Sequence, residues 1–211
     1  AEGTLALLVL QIIAVSGEFP PAFSGHFPGG SSYIGSVIGK LKKDGLLRAY
    51  SKNGLRGLRL TASAKRLLLQ KYPFDLAPYL TGATETSSLK SEPERRLRLH
   101  RMAETLLILH NAQIPSLPWE KPSIKDWRSN PSVFPVYYSS REFKALGSLC
   151  TKIRNSRMTG VLFTEQAIFP IYNMASTFPR WAHNAEIRLK AVLQTEFCRN
   201  AQFTISGIVF G

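Results

Sequence analysis

Ser32, Ser36, Lys40 and Lys43 recur three or four residues apart, on the face opposite Ile34, Val37, Ile38 and Leu41. Hydroxyl and ammonium groups along one helix face suit a polyanion. A lysine meets phosphate or the acceptors of guanine, and a serine reads a base edge weakly. Tyr33 and Lys42 flank that face. Downstream, residues 46–60 alternate around Asn53-Gly54, a dipeptide that favours a two-residue hairpin turn. Such a turn sets Lys52 against Leu55, Ala49 against Leu58 and Arg48 directly opposite Arg59. Leu47, Ala49, Leu58 and Leu60 then share one face, Arg48, Tyr50, Lys52 and Arg59 share the other, and Arg56 follows the turn. Opposed like charges destabilise a strand pair by some tenths of a kcal/mol. A bound phosphate would remove that penalty, and solvent would screen it.

A second basic run, Arg95, Arg96, Arg98 and Arg101, falls in the first half of a long helical pattern. It suits either phosphate contact, chiefly through Arg95 and Arg98, or a solvated face offset by Glu92, Glu94 and Glu104. Catalytic chemistry has less to build on. His26, His100, His110 and His183 lack metal spacing, so neither a metal nor a cofactor is expected. No phosphate loop and no nucleophile motif occurs. The one enzyme to weigh is a metal-dependent DNA endonuclease or nicking enzyme with a restriction-endonuclease-like C-terminal domain. Its candidates are Glu186 with Lys190, and Glu165 in a hairpin. A metal clamp wants clustered carboxylates, yet Asp126 is the sole aspartate after residue 82, and Glu186/Lys190 reads most simply as a helix salt pair.

The overall charge agrees with a polyanionic partner. The 211 residues carry 27 Lys+Arg against 14 Asp+Glu, a net charge of +13. Residues 1–81 hold 10 basic and 4 acidic groups and residues 82–211 hold 17 and 10, so the charge belongs to both halves. A hydrophobic fraction of 44% excludes a disordered polybasic tail. The longest apolar stretch, residues 5–15, is too short to span a bilayer, and no basic residue precedes it as in a secretory leader. Cys150 and Cys198 are too few for a disulfide framework and read as packed helix residues of a cytoplasmic protein.

The elements that must position these side chains follow from period and punctuation. Thr4 caps a helix with Leu5, Leu8, Val9, Ile12 and Ile13 on its stripe, ended by Gly17 and Pro20-Pro21. A short helix fits at residues 22–25, and Ser31 or Ser32 caps the lysine-bearing helix, which stops near Gly45. After the hairpin, Thr61 caps a helix with Ala64, Leu67 and Leu68 inward. Residues 81–88 are small and polar, which places a linker at 82–92 between domains 1–81 and 93–211. Ser91 with Glu94 reads as a capping box for a helix over 92–112. Then come an irregular stretch at 113–132, a strand at 133–138, a helix at 141–153, and a hairpin of 158–163 with 167–172. A helix over 183–198, with Ile187, Ala191 and Val192 on its stripe, and a strand over 203–210 complete the chain. A strand running into Gly211 leads us to expect that the natural protein continues. The fold class is α+β: an N-terminal winged helix-turn-helix, then a small α+β domain with a three- or four-stranded sheet flanked by helices.

Residues 33–48, YIGSVIGKLKKDGLLR, and 58–69, LRLTASAKRLLL, resemble the recognition helix, wing and closing helix of bacterial winged helix-turn-helix proteins. Many of these carry Leu-Thr-x-x-Gly before the last helix, where this chain has Ala64. The run from Arg157-Met158-Thr159-Gly160 through Ile171-Tyr172-Asn173, with Trp181 and Glu186, resembles the C-terminal part of replication-relaxation proteins, which also begin with a winged helix. Those belong to conjugative and plasmid elements of Gram-positive bacteria. The resemblance implies double-stranded DNA binding in replication, transfer or transcription regulation of a mobile element. It brings no catalytic residues to carry over. The expected partners are double-stranded DNA, a second copy of the chain or other relaxosome and replication proteins, and no membrane.

Overall fold

A computed structural model describes residues 4–81, 92–153, 155–174, 182–198 and 204–210. The chain is mixed α+β and divides into two compact units, Ala1–Ala112 and Gln113–Gly211.

In the first unit, helix α1 (Leu5–Ser16) begins at the Thr4 cap, whose hydroxyl accepts from Leu7 N at 3.3 Å, and ends at the left-handed Gly17. Its second half, from Val9 to Ser16, is buried all round, so the chain is wrapped about this helix. A 3-10 turn (Pro21–His26) leads to α2 (Gly30–Lys43), strands β1 (Leu47–Lys52) and β2 (Leu55–Leu60), and α3 (Ala62–Lys71). Gly29 and Gly30, both at positive φ, turn the chain into α2, so neither Ser31 nor Ser32 caps it. The hairpin has the expected register, with Asn53 (φ 51°) and Gly54 (φ 75°) both left-handed in the turn. Thr61 caps α3 through Ala64 N at 3.3 Å, and its hydroxyl also donates to Gly45 O at 2.6 Å. Leu67, expected inward, stands exposed, because Ala64 and Leu68 form the seam of α3.

Two further features of the first unit depart from what the sequence predicts. A helix α4 (Pro73–Leu80) follows α3, with Leu76, Tyr79 and Leu80 buried despite Pro78. Pro73 stands at its first turn, where no backbone donor is needed. The larger departure is the boundary. Helix α5 (Pro93–Asn111), assigned from sequence to the second domain, packs on α1 in the first unit, and the units divide after Ala112. Arg96 and His100 draw it there, as shown below. Glu92 is its N-cap without a side-chain bond; Ser91 and nearly all of the 82–92 segment lie outside the described residues.

The second unit is an antiparallel meander of β3 (Val136–Ser139), β4 (Gly160–Phe163) and β5 (Ala167–Asn173), with β6 (Thr204–Ile205) and β7 (Ile208–Phe210) both parallel to β5. The expected last strand is thus two short ones, and among the described residues the sheet has five strands rather than three or four. Residues 113–132 hold a 3-10 turn (Pro118–Glu120) and helix α6 (Ile124–Ser129). The expected helix over 141–153 is broken at Gly147 (φ 61°) into a 3-10 segment (Glu142–Leu146) and α7 (Ser148–Ile153). Helix α8 (His183–Phe197) buries Ala185, Leu189, Val192, Leu193 and Phe197, whereas Ile187 and Ala191 face outward. The core gathers Trp127, Tyr138, Phe143, Phe163 and Phe197. Cys198 follows α8 half-buried, and the Cys150 side chain lies outside the described residues.

Candidate nucleic-acid interface

Helix α2 carries the first set of candidates. Ile34, Ile38 and Leu41 bury one face, which leaves Ser32, Tyr33, Ser36, Lys40 and Lys43 exposed, Tyr33 at 57%. Gly35 and Gly39 lie among them, and a Cβ built at either would meet nothing within 4 Å. Close packing against the 3-10 turn therefore does not explain these glycines. Each weakens the helix by about 1 kcal/mol relative to alanine.

The hairpin carries the second set. Arg48, Lys52 and Arg56 are exposed, Lys52 and Arg56 next to the tip and Arg48 near the base of the ribbon. Arg59, predicted to share their role, is turned inward. Its side chain is 16% exposed, and Nη2 and Nε lie 2.6 and 2.7 Å from Oε2 of Glu18. Phe19 extends the hairpin by one bridge to Leu58, with both backbone bonds formed at 3.0 and 2.8 Å, and so sets Glu18 beside Arg59. The opposed Arg48 and Arg59 are thus relieved by an internal carboxylate, and the like-charge argument for phosphate at Arg59 falls.

Glu18 is the residue the sequence reading missed. Its side chain is fully buried and receives three cationic or ring donors. Arg96 Nη2 lies 2.6 Å from Oε1, with Nε at 3.0 and 3.2 Å from the two oxygens, and His100 Nε2 lies 2.9 Å from Oε1. Gly57 makes the room, since a Cβ there would overlap the Glu18 carboxylate. The guanidinium carbons of Arg59 and Arg96 stand 3.7 and 4.7 Å from the centre of the Tyr50 ring. Arg96, within the run read as one basic surface, is entirely buried. Arg95 is half-buried and Arg98 exposed, so the four arginines do not form a single face.

Burial alone would raise the Glu18 pKa. The hydrogen bonds from His100, Arg96 and Arg59, with the charge of Arg59, outweigh it and hold the group at about 2, below its ordinary 4.5. A carboxyl with a depressed folded-state pKa stabilises the fold fully above 4.5 and loses that contribution as pH falls towards 2. The shift corresponds to about 3 kcal/mol. Urea melts of wild type and Glu18→Gln from pH 6 to 2 should therefore converge at the acid end. Parallel curves across that range would refute the role of the carboxylate.

In the second unit, Glu186 does not pair with Lys190. Its carboxylate accepts from Tyr172 Oη at 2.7 Å, Ser156 Oγ at 2.8 Å and Arg157 N at 2.9 Å, tying α8 to the segment before β4. Burial, then the neighbouring Glu186, pushes the Tyr172 phenol above its usual range. Glu165 is exposed in the turn between β4 and β5, and among the described residues no group of three or more His, Cys, Asp or Glu could hold a metal. Lys121 is another buried cation: its Nζ lies 2.9 Å from Glu142 Oε1 and donates to Ser116 O at 3.0 Å and to Tyr137 O. Burial lowers its pKa, against the opposing pull of Glu142. Lys121 thus ties the segment before α6 to β3 through Tyr137 and to the 3-10 segment after β3 through Glu142, which is a structural role.

Among the described residues no helix is long and apolar enough to cross a membrane. No family model, no curated protein and no solved structure matches the chain.

Proposed function

We propose that the first unit is a winged helix that binds double-stranded DNA, with α2 in the major groove and the β1–β2 hairpin along the adjacent backbone. The observation that carries this reading is the exposed face of α2. Ser32, Tyr33, Ser36, Lys40 and Lys43 stand there with two glycines, Gly35 and Gly39, at which a Cβ would meet nothing within 4 Å among the described residues. A helix lying in a groove gains from both features: cations and hydroxyls meet phosphates and base edges, and bare glycines let the backbone approach the sugar-phosphate chain. The order of helix, turn, helix, hairpin and helix, and the +13 charge, support the same reading. The wider role in this reading is replication, transfer or regulation of a mobile element.

The double variant Lys40→Glu/Lys43→Glu is expected to lose duplex binding while keeping the wild-type circular dichroism, since both residues are exposed. Binding of that variant at wild-type affinity would sink the assignment. Lys52→Ala and Arg56→Ala should weaken binding alike on all sequences, each flattening the slope of log K against log salt by about one unit. Arg59→Ala, by contrast, should act on stability first.

A further inference from the structure

The exposed tip of the hairpin is held from an unexpected direction. Arg96, on α5, reaches across the β1–β2 ribbon and donates to backbone carbonyls on both strands: from Nη1 to Lys52 O at 2.9 Å, and from Nη2 to Tyr50 O at 3.2 Å and Leu55 O at 3.0 Å. Lys52 and Leu55 are the residues that flank the turn, so one guanidinium holds the ribbon at the point where it would otherwise fray. Arg96 is itself fixed, because its Nε and the shared Nη2 engage the fully buried Glu18, and Gly57 leaves space for that carboxylate beneath the ribbon. A two-stranded hairpin is marginal on its own in water. A mobile tip would lose its ordering entropy on every encounter with a ligand.

We infer that Arg96 is a positioning residue for DNA binding, presetting the hairpin tip so that Lys52 and Arg56 meet the phosphate backbone without further ordering. This rests on the reading above that the first unit binds duplex DNA. Arg96 makes no contact with the DNA itself. Its guanidinium is a rigid planar fork with five donors, which is what three carbonyls and a carboxylate require together. Lysine keeps the charge beside Glu18 but lacks the fork, so Arg96→Lys separates the two roles.

The test is a mutant cycle on the full chain with a duplex probe of mixed sequence, read as affinity and as salt slope. Arg96→Lys is expected to bind about ten-fold more weakly, with a slope flattened by one to two units. In that background Lys52→Ala/Arg56→Ala should cost less than two-fold more, while Lys40→Ala should cost as much as it does in the wild type. An equal cost of Lys52→Ala/Arg56→Ala in both backgrounds would overturn the inference, as would wild-type affinity in Arg96→Lys. Wild-type protein that fails to bind duplex DNA would instead remove the functional reading, and this inference with it. Should Arg96→Lys not fold, amide exchange in the wild type decides. Tip amides at Lys52 and Leu55 should exchange about as slowly as Leu58 in the middle of β2, and exchange a hundred-fold faster would overturn the clamp.

Discussion

Glu18→Ala is expected to destabilise the first unit by about 3–5 kcal/mol, the range for removing one partner of a buried ion pair. Three donors converge on this carboxylate, two of them arginines, and the Glu18 and Arg96 side chains are fully buried. Deleting the carboxylate removes the anion that Arg96 and Arg59 share, and leaves Arg96 charged inside the protein among backbone carbonyls and the Tyr50 ring. Chemical denaturation followed by circular dichroism would measure the loss. Glu18→Gln should fall between the two, since the amide fills the space above Gly57 and accepts some of the same bonds but carries no charge. The double variant Glu18→Ala/Arg59→Ala should lose less than the sum of the single losses, because both changes remove one interaction. A loss below 1 kcal/mol for Glu18→Ala would mean that the cluster is only incidental to the fold.

Trp127→Ala is expected to cost about 3–5 kcal/mol in the second unit, the range for truncating a large buried aromatic. The indole stands among four aromatic rings, with centroids 4.4 Å from Phe163, 5.5 Å from Phe134, 5.9 Å from Tyr138 and 6.4 Å from Phe197. Its Nε1 donates to Val133 O at 3.2 Å, so α6 is tied to the approach of β3 by the same side chain. The cavity left would be lined by aromatic rings, which fill a void poorly when they shift. Trp127→Phe should recover part of the loss, since the ring packing returns without the hydrogen bond. Urea denaturation midpoints at constant m-value would show both effects, and an unchanged midpoint for the alanine variant would exclude this account of the core.

The hairpin was legible in the sequence to the residue. Asn53-Gly54 demands a turn with two left-handed residues, and alternation on either side leaves one register that sets Leu47, Ala49, Leu58 and Leu60 on one face, where the three leucines are buried and Ala49 is exposed. The Thr4 and Thr61 caps, the stop near Gly45 and the buried face of α2 were legible for the same reason. Elsewhere local rules misled. Ile187, Ala191 and Val192 look like the stripe of α8, but of these only Val192 is buried, together with Ala185, Leu189, Leu193 and Phe197. Arg95, Arg96, Arg98 and Arg101 look like one solvated or phosphate-binding run, and tertiary packing takes Arg96 out of it altogether. The boundary at 82–92 was drawn from polarity, yet α5, beyond it, belongs with α1.

The type of the hairpin turn, the Thr4 and Thr61 caps and the period of β1, β2 and α2 depend on neighbours within about four residues, and those were determined by the sequence alone. So was the exposed Ser32/Ser36/Lys40/Lys43 face of α2, because helical spacing and a buried stripe at Ile34, Ile38 and Leu41 fix where those side chains point. The partnership of Glu18 with Arg59, Arg96 and His100 joins residues 41, 78 and 82 positions apart, and no local pattern carries that information. Only the packed fold decides it, because a buried carboxylate is stable only where three-dimensional packing delivers cations to it. That packing also sorts the basic residues, turning Arg59 and Arg96 inward to hold the hairpin and leaving Lys40, Lys43, Lys52 and Arg56 exposed.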